Sequence, residues 1–312
     1  MPLAAAHRRC VALGSVAVLA FGLAACGSDT LGGSDGGGGT AGTGGGGSPT
    51  EIAEVTPDAA LAGQVPEAIR NAGTLQVGTD GSYPPNEFIG TDGKTVEGMA
   101  PDLLNAVAAK LDLKTNYNNA AFDGIVLGVS NRKWQVGISS FTINDERKKA
   151  VTMVQYFNAG TSWATAKGNP KNVNIEEPCG LAVAVQRGTV QVDDIAARNK
   201  ACTDAGKPAI NVITEQEQTK ATADVVSGKA DAMLADSPVI VYALSQTGDQ
   251  LEQVGEMYDA APYGIIVPRD DTEFAELISK ALAQLKSDGT YDAILTKWGN
   301  EAGSVDSFPV NP

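Results

Sequence analysis

The chain of 312 residues sets 37 Asp and Glu against 23 Lys and Arg, a formal net charge of −14, with 43% hydrophobic residues. That length and apolar content suffice for two domains of ordinary size. The acidity excludes a nucleic-acid partner, which needs a basic face to meet phosphates, and argues against a polybasic membrane-binding surface.

At the start of the chain, His7, Arg8 and Arg9 precede an apolar run from Val11 to Ala24. At roughly fourteen residues this has the layout of an export signal and falls short of the about twenty that span a bilayer. The run ends in Leu23-Ala24-Ala25-Cys26-Gly27, which resembles the lipobox at which bacterial lipoproteins are cleaved and diacylated on the cysteine. Residues 1–25 are therefore expected to be removed and Cys26 to carry the lipid. The protein is then expected outside the cytoplasm, anchored by that lipid to the outer face of the cell membrane. His7, the single histidine, leaves with the leader. A Ser-His-Asp triad, a Cys-His pair and a histidine-ligated zinc site leave with it, and no metal or cofactor is expected. Of the four cysteines, Cys10 is lost with the leader and Cys26 is acylated, so Cys179 and Cys202 remain. Outside the cytoplasm these two are expected to form one disulfide, with two buried free thiols as the alternative.

From Gly27 to Ser48 the chain is nearly all Gly, Ser, Thr and Ala, too apolar-poor to offset the entropy of ordering, and residues 26–64 read as a flexible tether. The Gly-Lys-Ser/Thr ending of a phosphate-cradling loop is missing. From about Val65 short β-rich runs alternate with amphipathic helical stretches, the pattern of βαβ units. A first set places strands at 75–79, 114–118 and 135–139 with helices at 99–111 and 122–130. A second places strands at 181–186, 210–213 and 230–235 with helices from Val190, Glu215 and Pro238. The chain then returns through a strand at 263–267 to helices at 272–287 and 290–298. Two similar blocks and a return predict an α/β protein of two lobes, 65–159 plus 263–312 and 160–262. The crossing strands are expected near 157–164 and 258–264, and a ligand cleft between the lobes at the carboxyl ends of the strands.

Four segments carry polar groups at predicted strand ends. In SSFTINDER (139–147), Asn144 can cap a helix whose first turn contains Arg147. A cation there opposes the helix dipole, which makes sense if the guanidinium meets an anion, with Ser140 and Thr142 as further donors. The alternative is a solvated arginine paired with Asp145 or Glu146. In DAMLADSP (231–238), Asp236 either caps the next helix or pairs functionally with Arg147, one group for an α-carboxylate and the other for an α-ammonium. In GTDGSYPPNEF (78–88) and AAFDGIVLGV (120–129), Tyr83 and Phe122 are candidate walls of a side-chain slot with Asp80 at its floor. Core packing is the alternative for Phe122.

These segments, in this order, resemble the polar amino-acid family of bacterial extracellular solute-binding proteins, family 3. VAVQRGTV (183–190) and DGTYDAILTKWG (288–299) extend the similarity over nearly all of residues 65–300. The resemblance implies a periplasmic-binding-protein fold of type II with a two-strand hinge that closes over one amino acid. It also implies a monomer that docks on the permease subunits of an ABC importer. It assigns Arg147, Ser140 and Thr142 to the ligand α-carboxylate and Asp236 to the α-amino group. Thr189 becomes a contact from the second lobe, and Asp80, Tyr83 and Phe122 the side-chain pocket. Asn86 stands where an aromatic is common, Gln186 replaces a frequent lysine and Gln135 an acid, and the first two leave glutamine, basic and other polar ligands open. A ligand-presenting sensor protein and a dehydratase of the same fold are the alternatives. The dehydratase lacks an obvious general base, since Asp80 already has a binding role.

Overall fold

The computed structural model describes Ile52 and residues 54–312. The leader, Cys26 and most of the expected tether lie outside the described residues. No helix among the described residues is long and apolar enough to cross a membrane.

The chain begins with two short helices, α1 (Ala59–Ala62) and α2 (Glu67–Ala72), and enters β1 (Thr74–Thr79). A small antiparallel sheet follows, β2 (Ser82–Tyr83), β3 (Glu87–Ile89) and β4 (Val96–Glu97), and then α3 (Met99–Lys110), β5 (Lys114–Asn119), α4 (Phe122–Ser130), β6 (Val136–Thr142) and α5 (Asp145–Ala150). The long β7 (Val151–Ala166) leads to β8 (Ala182–Gln186), α6 (Val190–Asp204), β9 (Asn211–Glu215), α7 (Gln218–Val226), β10 (Ala232–Asp236) and α8 (Ser237–Gln246). The equally long β11 (Leu251–Pro268) returns to α9 (Thr272–Ser287), α10 (Thr290–Trp298) and a 3-10 turn at Glu301–Gly303.

Eight strands form one sheet in the order β5-β1-β6-β11-β7-β10-β8-β9. β1 pairs in parallel with β5 and β6, and β8 in parallel with β9 and β10, so each lobe has a three-stranded parallel block made from βαβ crossovers. β7 and β11 join the blocks. β11 runs antiparallel to β6 through Tyr263–Ile266 and to β7 along most of its length, with register shifts between Val254 and Tyr258 and between Tyr258 and Ala261. The second half of β7 pairs with β10 from Thr161 to Thr165. Both strands therefore run through both lobes, longer at each end than the pattern of residues suggested, because the extensions pair with each other.

Parallel strands covered on both faces read as apolar runs, and β6 is buried through Phe141 with Thr142 half-buried. The amphipathic α9 puts Phe274, Leu277, Ile278, Ala281, Leu282 and Leu285 on one stripe, against α3, α10 and β7. Two further boundaries, at β6 and α7, differ from expectation. β6 continues to Thr142 because β11 supplies partners as far as that residue. The helix expected from Glu215 starts at Gln218, because residues to Glu215 are held in parallel register against β8. Cys179, just before β8, and Cys202, in the last turns of α6, are joined in a disulfide with their Cα atoms 5.5 Å apart.

Candidate functional site

The carboxyl ends of β1, β6 and β10 and the start of α6 meet between the lobes. Asn144 caps α5, its Oδ1 accepting from the Arg147 backbone N–H at 2.9 Å. The cap fixes the first turn from which Arg147 projects into the cleft. Asp145, a possible partner for it, pairs with Lys148 instead. The Arg147 guanidinium forms no ion pair with a carboxylate among the described residues. It donates to the carbonyl oxygens of Thr142 at 2.8 Å and, across the lobes, of Gly188 at 3.1 Å. It lies 5.4 Å from the centre of the Phe122 ring and 5.8 Å from that of Phe141, faces that attract a cation. Burial pushes its pKa down, and the charge of Asp236 opposes that shift. Gly188 has φ +80°, and a side chain there would run into Asp123 of the other lobe, so this close approach requires glycine.

Asp236 ends β10 at the N-cap position of α8, yet its carboxylate makes no cap bond. One oxygen accepts from the Tyr83 hydroxyl at 2.9 Å and the other from Gln191 Nε2 at 2.8 Å. Gln191 also reaches Thr161 Oγ1 at 3.0 Å. The capping alternative for Asp236 is thereby set aside in favour of a carboxylate aimed across the cleft. Burial raises its pKa, against the opposing effect of the tyrosine and glutamine hydrogen bonds and of Arg147.

Asp80 closes β1. Its carboxylate accepts from the backbone N–H groups of Ser82 and Phe122, both at 3.0 Å, and from Gln186 Nε2 of the second lobe at 2.9 Å. Burial raises its pKa while the Ser82 and Phe122 bonds lower it. Thr189 donates its hydroxyl proton to the Gln186 carbonyl at 2.8 Å, so it can meet a ligand only with its lone pairs or its backbone N–H.

Tyr83, Phe122, Ser140, Thr142, Arg147, Thr189 and Asp236 thus line one cavity, together with Val190 and Gln191. The lobes meet so closely that only about 10 Å³ remains there for the centre of a water molecule, and admitting an amino acid requires them to part. A wider hollow of about 420 Å³ opens beside Asp80, bounded also by Asn119, Gln216 and Glu217. Asp80 lines this hollow and not the interlobe cavity, and Gln186, expected in the pocket, lines neither space but donates to Asp80. Asn86 does not face the cavity: it is fully buried behind Ser140, donating to the Ser140 hydroxyl at 3.0 Å and accepting from Asn300 at 3.0 Å. Sequence reasoning missed Gln191, two residues past Thr189, and Glu87, which is fully buried against Ser140. A glutamine in the first turn of a helix, with acids two and three positions on, gives no signal of its own. Glu87 sits in a strand that alternation alone would leave half exposed.

Residues 75–301 match the family described as bacterial extracellular solute-binding proteins, family 3. An arginine-binding protein of Corynebacterium glutamicum, ArgT, is 33% identical over 268 residues, 85% of this chain and 88% of its own length. The L-cystine-binding protein TcyJ of Escherichia coli is 26% identical over 74% of this chain and 84% of its own. A solved ancestral arginine-binding protein bound to arginine superposes with a TM-score of 0.66 at 36% identity, covering 72% of this chain and 98% of its own. With its length matched across both lobes, the chain belongs to the bacterial extracellular solute-binding proteins of family 3, a family of two-lobed proteins that work outside the cytoplasm.

Proposed function

We propose that this protein captures a free amino acid with a cationic side chain and delivers it to the permease subunits of an ABC importer. The lobes that close on the ligand are residues 65–159 plus 263–312 and residues 160–262, and the lipid on Cys26 holds the protein at the membrane. The observation that carries this reading is the opposition of Arg147, a half-buried guanidinium without a carboxylate partner among the described residues, to Asp236 of the other lobe. A carboxylate entering at Arg147, with Ser140 and Thr142 beside it, and an ammonium entering at Asp236 balance both charges at once. Asp80 is then the acid left over, with Glu217 at the rim of the same hollow. A side chain carrying one positive charge offsets it, whereas a glutamate ligand would add a second anion there. The arginine-binding relatives support this choice, and an ancestral arginine-binding protein solved bound to glutamine, 34% identical, keeps glutamine among the ligands to test.

The same contacts account for closure. A ligand shifts the balance between open and closed forms only through contacts that are better in the closed form, and one molecule touching both Arg147 and Asp236 meets that condition. The reading is of binding without turnover: Asp236, the acid that lines the cavity, is held by Tyr83 and Gln191 and is taken up by the ligand ammonium. Calorimetric titration with arginine, lysine, glutamine and glutamate tests the reading. Arginine or lysine should bind tightest, and at about a hundred times its Kd either should add roughly 2.7 kcal/mol to stability. Tighter binding of glutamate than of arginine, or no response to any amino acid, would overturn it.

A further inference from the structure

Ser140 has φ +53°, a left-handed conformation that is costly for a residue with a side chain, and two neighbours hold its hydroxyl. Asn86 Nδ2 donates to it at 3.0 Å, and the orientation of that amide is itself fixed, because Asn86 Oδ1 accepts from Asn300 at 3.0 Å. Glu87 Oε2 lies 3.2 Å from the same hydroxyl, and Glu87 Oε1 has no partner although the residue is fully buried. A serine hydroxyl has one proton and two acceptor sites. Asn86 fills one acceptor site, so Glu87 decides where the proton goes. An ionised Glu87 would take it. A protonated Glu87 would fill the second acceptor site and turn the proton of Ser140 outward, into the cavity it shares with Thr142, Arg147 and Asp236.

The groups around Glu87 favour the second arrangement. Asp80 at the end of β1 and Asp236 at the end of β10 face it as acids, Ser139 and Ser140 of β6 as hydroxyls, and Tyr83 of β2 and Tyr156 of β7 as neutral phenols; among the described residues no cation forms an ion pair with it. A desolvated anion among acids, with one oxygen unpartnered, is unfavourable. We propose that Glu87 is a positioning residue that acts as a neutral carboxylic acid, donating to Ser140 so that the Ser140 hydroxyl proton is aimed at the carboxylate of the bound amino acid. Burial pushes the Glu87 carboxyl well above the usual carboxylate range, in the same direction. The inference rests on the reading that the ligand carboxylate sits at Arg147.

The test is calorimetric titration of arginine into the wild type, Glu87→Gln, Glu87→Ala, Ser140→Ala and the Glu87→Gln/Ser140→Ala double variant from pH 6 to 9, with thermal melts to establish that each is folded. The glutamine amide donates permanently, as a protonated glutamate does. At pH 6 Glu87→Gln should bind within about threefold of the wild type and Glu87→Ala about tenfold more weakly, the loss of one hydrogen bond to a charged ligand. As the pH rises and Glu87 ionises, the wild type should weaken relative to Glu87→Gln. In the Ser140→Ala background that divergence should disappear, because there is no hydroxyl left to turn. Binding by Glu87→Gln more than about tenfold weaker at pH 6, or a pH-dependent difference that persists without the Ser140 hydroxyl, would overturn the proposal. If Glu87→Gln fails to fold, a wild type and Ser140→Ala that weaken in parallel with rising pH would overturn it. Absence of amino-acid binding by the wild type would count against the proposed function, a result distinguishable from either.

Discussion

The first lobe fills its core with large residues, among them Tyr156, Phe157, Tyr263, Phe274, Tyr291 and Phe308 beside the leucines of α3 and α9. The second lobe packs much of its α7–α8 side with alanines, Ala164, Ala184, Ala221, Ala230, Ala235 and Ala243, and carries the Cys179–Cys202 bond on the other face. A smaller apolar core stabilises less, and the cross-link offsets that deficit where it occurs. The cleft divides in the same way. Arg147 is held by backbone carbonyls, Thr142 of its own lobe and Gly188 of the second, while Asp236 of the second depends on side chains, Gln191 from its own lobe and Tyr83 from the other. Each charged group thus has one partner from either lobe, and the asymmetry lies in their kind: backbone carbonyls for Arg147, side chains for Asp236.

That asymmetry is open to direct attack. Arg147→Ala should cost ligand binding about 2–5 kcal/mol, since it removes one partner of a buried charge pair, and should leave the melting temperature nearly unchanged; titration and melting together measure this. A folded variant with unchanged affinity would remove Arg147 from the carboxylate. Replacing Cys179 and Cys202 together with Ser should lower stability by about 3 kcal/mol for a loop of this size, without altering which amino acid binds. Denaturant melts of the oxidised protein and the variant decide it. Next comes pH. The Asp80 carboxyl is raised by burial, so the folded state binds its proton more tightly than the unfolded chain does. Stability from this group is therefore present below the usual carboxylate pKa and is lost as pH rises through the raised value. Asp80→Asn should melt progressively higher than the wild type as pH increases across that window, and a gap that closes instead would contradict the burial argument. The smallest effect is expected of Gln186→Ala. It removes the cross-lobe hydrogen bond from its amide to the Asp80 carboxylate, worth about 1.5 kcal/mol, and frees Asp80 for the ligand, so affinity for arginine should rise by a few-fold and affinity for glutamine by less.

Much of the α/β order could be read from the chain because buried parallel strands and amphipathic helices leave distinct periodicities, as β6 and α9 do. Arg147 was legible from local chemistry, a cation in the first turn of a helix capped by Asn144. What was hidden belongs to tertiary placement. Asp236 looks like a cap until β10 and Tyr83 are seen to turn its carboxylate across the cleft. Glu87 and Gln191 acquire their surroundings from residues more than forty positions away, Ser140 in one case and Asp236 in the other. Asn86, expected in the side-chain pocket, is drawn behind Ser140 by Asn300 near the far end of the chain.

The course of β11 bears on the order in which the protein can fold. β6 and β7, at the middle of the sheet, share β11 as a neighbour, and α9 and α10 from the last stretch of chain cover the first lobe's core. A chain emerging from its N-terminus makes β1, β5 and β6 early but cannot complete that lobe until the second has been threaded and β11 arrives. Such long-range closure slows folding. For a protein expected to cross a membrane as an extended chain, such a delay would keep the first lobe incomplete until β11 and the helices after it are through.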